Sequence, residues 1–212
     1  MIKQTNQNRK SVKQYIKYSL LSIILCLSIT NQSHAKTYHY DTAHSEVGFS
    51  VSHMVVSTVH GHFNDVTTDL FWNPKKLKNS YLNGTITVTS IDTNNKKRDK
   101  HLQEKEFFHS SKFPIITFKS SAIKATKNKK NSYILTGKLT IKDITKSISC
   151  PLITKGPITD PWNNERIGFE ATCAIKRMDF NINQSKTLKT GDLIIGNDIK
   201  LIITVEGIAK NN

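Results

Sequence analysis

The chain has 212 residues, with 31 Lys and Arg against 16 Asp and Glu, a formal charge of +15. That length allows one domain or two small ones. At 22% charged and 37% hydrophobic, with nine Phe, six Tyr and two Trp, it is neither a disordered polymer nor an integral membrane protein.

Lys3, Arg9, Lys10, Lys13 and Lys17 open the chain with no acid among residues 1–35. A 12-residue apolar run follows from Tyr18 to Ile29, then Ser33-His34-Ala35. This is the order of a secretory signal peptide, and the run is shorter than the ~20 residues a transmembrane helix needs. Leu25 before Cys26 is too large for lipid attachment at that cysteine. We expect a signal peptide at 1–35, cleavage after Ala35, and one exported domain at 36–212. Without the leader the charge falls to +10.

From Lys36 onward, apolar residues alternate with polar ones, the period of half-buried strands. Val47, Phe49 and Val51 alternate with Gly48, Ser50 and Ser52, and Leu139 and Ile141 with Lys138, Thr140 and Lys142. Runs bounded by turn residues give eight strands at 46–55, 59–72, 81–91, 115–125, 132–142, 145–155, 166–177 and 198–207. The expected fold is all-β, an antiparallel barrel or sandwich. Asn94 to Phe108 breaks the alternation and reads as a short charged helical segment.

Cys150 and Cys173 remain once the leader is removed, and exported proteins meet an oxidising setting. The runs 145–155 and 166–177 fold about Asp160-Pro161-Trp162 into a hairpin that brings the two cysteines nearly opposite. A structural disulfide and two buried free thiols both fit.

The chemistry-bearing residues form no familiar catalytic pattern. His60 and His62 share a strand face, but no H-E-x-x-H, short cysteine pair or acidic calcium loop completes a metal site. Asp41, His44 and Ser45 are close in sequence, whereas triad members are set by geometry and usually come from distant segments. No G-x-S-x-G elbow or phosphate loop occurs. The basic residues are scattered, and only Arg98, Arg166 and Arg177 follow the leader, so nucleic acid is not the expected partner. We expect no enzyme, no metal and no cofactor. A cationic exterior instead suits anionic headgroups or envelope polymers, and a stress-response interaction module working through that surface is the alternative reading.

Several stretches resemble the YceI family of exported bacterial proteins. Asp41 to Met54 with Gly61-His62-Phe63 looks like its opening, and Ser90 to Asn94 with Arg98 to Leu102 and Phe107-Phe108 is similar to its most distinctive segment. Phe113 to Phe118, Leu139 to Lys146, Arg166 to Ala171 and Asp179 to Ile182 follow in the family's order, so the likeness covers 37–208. Asp143 and Asn181 stand where the family commonly has Gly. Both tolerate turns. The resemblance implies an extended, lipocalin-like eight-stranded barrel whose apolar tunnel binds a polyisoprenoid such as a quinone tail, or another long-chain amphiphilic lipid. It also implies a periplasmic location, often a homodimer, and no established catalysis. Peripheral contact with the membrane is expected as well.

Parity selects the inward-facing positions. Phe49 and Val51, Ile86 and Val88, Phe118, Leu139 and Ile141, and Phe169 with Ala171 fall on the apolar faces of their strands. These nine are the expected tunnel lining. Arg98 and Asp99 are expected to anchor the helical segment to the barrel.

Overall fold

A computed structural model of the protein describes residues 35–210. The expected leader lies outside these residues except for Ala35. Eleven strands form one antiparallel sheet among the described residues. They are β1 (Lys36–Tyr40), β2 (Glu46–His53), β3 (Ser57–Phe63), β4 (Val66–Trp72), β5 (Tyr81–Thr87), β6 (Ile91–Asp92), β7 (Ile115–Ala125), β8 (Ser132–Ile141), β9 (Ile144–Thr159), β10 (Glu165–Lys176) and β11 (Ile195–Ala209). The order β1-β4-β5-β7-β8-β9-β10-β11 closes through β1 against β11, an eight-stranded barrel. Closure leaves those strands no free edge.

β11 is long enough to serve two neighbours. Its last residues pair with β1, Tyr38 facing Ala209, while Ile199 to Thr204 pair with β2. Strands β2, β3 and β6 therefore continue the sheet beyond the barrel seam.

Three differences take the eight expected strands to eleven, each for a local reason. β1 carries no alternating signal, since only Tyr38 of its five residues is buried. The expected strand 59–72 is two strands divided at Asn64-Asp65, where the Asn64 N–H donates to the Ser90 carbonyl and Asp65 accepts from the Thr87 N–H. β5 stops at Thr87, because Val88–Ser90 turn into a 3-10 helix and the Val88 N–H donates to Pro114 at 2.8 Å. Leaving the strand takes Val88 out of the inward alternation.

The charged segment holds a short helix, α1 (Lys96–Leu102), capped by the Asn95 side chain, which accepts from the Arg98 N–H at 3.0 Å. Buried Thr93 anchors it. Asp99 accepts from the Thr93 N–H at 2.9 Å and hydroxyl at 2.5 Å, and the Arg98 guanidinium donates to the Thr93 hydroxyl and carbonyl, both at 2.7 Å.

The core divides into two clusters along the strands. One gathers Tyr38, Trp72, Leu152, Ile167 and Phe169, with Trp72 edge-on to Tyr133 and Phe169 at 5.1 and 5.4 Å. The other gathers Val88, Phe107, Ile116, Ile141 and Phe180 at the opposite strand ends. Each such side chain contributes ~1.5–3 kcal/mol when fully buried. Of the two expected turn substitutions, Asn181 occupies the left-handed region at φ 55°, but the left-handed residue of the β8–β9 turn is Lys142 at φ 57° rather than Asp143.

Candidate ligand cavity

Between the two clusters the barrel interior is open. Val47, Phe49, Val51, Phe118, Ile199 and Leu201 are only half-buried, although all six line the interior. A filled barrel would bury them fully. Their exposed area faces a cavity of about 410 Å³ whose wall is almost wholly apolar. That size lies within the ~300–1,000 Å³ of small-molecule sites.

Eight of the nine parity-selected residues face this cavity: Phe49, Val51, Ile86, Phe118, Leu139, Ile141, Phe169 and Ala171. Val88 does not. Only 1% exposed, it packs among Phe107, Ile116 and Phe180 behind the wall, as its 3-10 backbone requires. β11 contributes Ile195, Ile199, Leu201 and Ile203 to the wall, and these were not singled out from sequence. Apolar residues on both parities of Ile199 to Ile203 hide which face turns inward.

Cys150 and Cys173 also line the cavity and are joined in a disulfide. The β9–β10 register that sets Ala171 against Leu152 places them directly opposite each other.

Polar groups reach the wall at few points. Arg177 is 4% exposed and its guanidinium donates only to carbonyls, those of Gly196 at 2.8 Å, Ile195 at 2.9 Å, Gln184 at 3.2 Å and Ile182. Desolvation lowers its pKa from the ordinary value, with no carboxylate to offset it. The sequence marked Arg177 only as a scarce arginine. Thr68 also lines the wall, and its buried hydroxyl has no partner.

The other charged centre lies where β1, β10 and β11 meet. Arg166 bridges Asp160 at 2.6 Å, Asp41 at 2.7 Å and Glu206 at 2.6 Å. Burial pushes the Asp41 and Asp160 carboxyls up, but hydrogen bonds outweigh it and hold each at about 2: His44, Arg166 and the Ala43 N–H act on Asp41, and Arg166, Asn164 and the Trp162 N–H on Asp160. The hydrogen bonds that Arg166 donates to Asp160, Glu206 and Asp41 in turn raise its own pKa above the ordinary value. Asp41, His44 and Glu206 bring ligand atoms within 4.8 Å of one another, yet the guanidinium already supplies the positive charge there. Ser45 does not join His44 in a triad. Its hydroxyl accepts from the Glu206 N–H at 2.9 Å and ties the β1–β2 turn to β11. His60 and His62 lie on the parity opposite to Phe49 and Val51, away from the cavity.

This architecture recurs in known proteins. A YceI-like domain model matches residues 38–207. A UPF0312 protein of Pectobacterium atrosepticum is 35% identical over 200 residues, covering 92% of this chain and 99% of that protein. Protein YceI of Salmonella newport is 34% identical over 201 residues, 93% and 98% of the two chains. Among solved structures, Burkholderia cenocepacia BcnA superposes with a TM-score of 0.69 at 25% identity over 79% of this chain and 98% of its own. A polyisoprenoid binding domain from Saccharophagus degradans shares the fold at a TM-score of 0.62 and 14% identity, over 82% and 99% of the two chains. A closed eight-stranded barrel around an apolar cavity, with a domain match over nearly all of the described residues, makes this chain a member of the YceI family.

Proposed function

We propose that the protein binds a long-chain isoprenoid, quinone-like or similarly amphiphilic, inside the barrel, and carries or sequesters it in the periplasm after export. The carrying observation is the half-buried state of inward Phe49, Val51, Phe118 and Leu201: apolar side chains with no protein partner on one side. The shared fold of the Saccharophagus polyisoprenoid binding domain supports the same ligand class. At ~25 cal/mol per Å² of apolar area removed from water, each isoprene unit gains a few kcal/mol before ordering costs. Affinity should therefore rise with chain length until the cavity is filled.

The role is binding rather than catalysis, because the wall presents apolar groups and structural hydrogen bonds. Family resemblance adds a homodimer, which light scattering checks. Solvent extraction of protein from the exported fraction, followed by mass spectrometry, tests the central reading. It should recover a long-chain amphiphile; recovery of none, with no binding of added isoprenoid quinone, rejects it. Retention should be nearly independent of salt, whereas action through the basic surface on anionic envelope components would be lost by screening.

A further inference from the structure

The β2–β3 hairpin ends in three consecutive exposed apolar residues, Met54, Val55 and Val56, at 42%, 64% and 85% exposure. The turn closes where the Val56 N–H donates to the His53 carbonyl at 3.2 Å, with Met54 and Val55 both in the left-handed region at φ 52° and 64°. The loop between paired His53 and Ser57 has three residues, and its first two take the positive φ for which turns favour Asn-Gly, whereas a β-branched residue at positive φ is a genuine outlier. Side chains unsuited to the turn, and unburied by it, are placed at its tip.

Two further features surround that tip. His53 and Ser52 line the cavity, as do Ile194 and Ile195, so one end of the apolar interior lies a residue away from Met54. The Met54 N–H donates to the Ile194 carbonyl and the Ile194 N–H to the Lys186 carbonyl, both at 2.8 Å, which fixes segment 184–194 beside the hairpin. This segment carries exposed Lys186 and Lys189, and its acid, Asp192, accepts from the Thr190 hydroxyl at 2.9 Å.

We infer that the Met54-Val55-Val56 tip, flanked by Lys186 and Lys189, docks the protein on an anionic lipid bilayer and sets that end of the cavity against the acyl region. A convex apolar tip inserts among lipids, while the adjacent ammonium groups meet anionic headgroups. Transfer of a long apolar chain between bilayer and barrel then avoids a fully aqueous step, so the inference rests on the lipid-binding reading for its purpose.

Flotation with phosphatidylglycerol-containing and pure phosphatidylcholine vesicles tests it, with extraction of bound lipid measured in parallel. The parent protein should float with the anionic vesicles, more weakly at high salt. V55D/V56D should weaken this by about tenfold per valine without emptying the barrel. M54N/V55G supplies the preferred turn residues, so it should raise the melting temperature while lowering vesicle binding; a purely structural tip would leave vesicle binding unchanged. Failure of the parent to float, parental flotation by both variants, or variants that alter oligomeric state instead would overturn the docking inference. Lipid recovered without vesicle binding rejects docking alone, and vesicle binding with an empty barrel rejects the ligand reading alone.

Discussion

A side chain on Gly137 would collide with Phe118: a Cβ there would lie 2.5 Å from ring carbon Cε2 and closer still to Cζ. Gly137 pairs with Ser120, two residues along β7 from Phe118, so the ring leans diagonally across the strand pair into the space the glycine leaves. Phe49 lies over Gly61, its direct partner on the β2–β3 pair. Bulky rings are thus held against the wall, and the interior between them stays open.

Gly137→Ala should push the Phe118 ring out of its seat. We expect a loss of ~1–3 kcal/mol from overpacking, read from a denaturant midpoint, together with a lower load of long-chain lipid. Adding Phe118→Leu should restore the lipid load but only part of the stability, because the new Cβ would still lie 2.7 Å from the Lys119 carbonyl oxygen. Full loading by Gly137→Ala alone would show that the ring does not limit the cavity.

Trp substitution separates wall from core. Ala171→Trp projects into the cavity and should block ligand while the protein stays folded. Val88→Trp has no such space, at 1% exposure among Phe107 and Phe180, and should cost ~1–3 kcal/mol or more. Thermal melts with ligand titration compare the two. Equal ligand loss from two equally stable variants would contradict this assignment.

The disulfide spans a sequence separation of 23 residues, and both cysteines are buried. Intact-mass measurement of exported protein unfolded in denaturant should show neither thiol alkylated until reductant is added. Replacing both by Ala should cost ~2–4 kcal/mol and slightly enlarge the cavity. Alkylation of both without reduction would show two buried thiols instead.

Acid should weaken the Arg166 junction in a defined window. Asp41 and Asp160 titrate at about 2 in the fold, below the ~3.9 of an unfolded aspartate. Their contribution is therefore complete above ~3.9 and is lost as pH falls through about 2. Urea midpoints should hold steady from neutral pH to about 5 and decline steeply between about 4 and 2. Arg166→Met should be less stable at neutral pH and show a shallower acid decline. An unchanged slope in that variant would assign the acid sensitivity to other carboxylates.

Features that depend on neighbours along the chain were legible in the residue order. Alternation along β2 and β8 identified these strands and turned Phe49, Val51, Leu139 and Ile141 to one face, since side-chain direction in a strand repeats every two residues. The ordered family motifs supplied the barrel. Polar Asn64-Asp65 was a legible corner within a run read as one strand.

Features that depend on which strands meet required the folded chain. Arg166 gathers Asp41 and Glu206 from 125 and 40 residues away, and no local pattern encodes that meeting. Val88 left the wall because the Pro114 carbonyl captured its N–H. Whether the apolar faces enclosed a packed core or a cavity was likewise invisible in sequence, because both demand the same residues. The difference lies in barrel closure, and in glycines such as Gly137 that let an aromatic ring fold back against the wall.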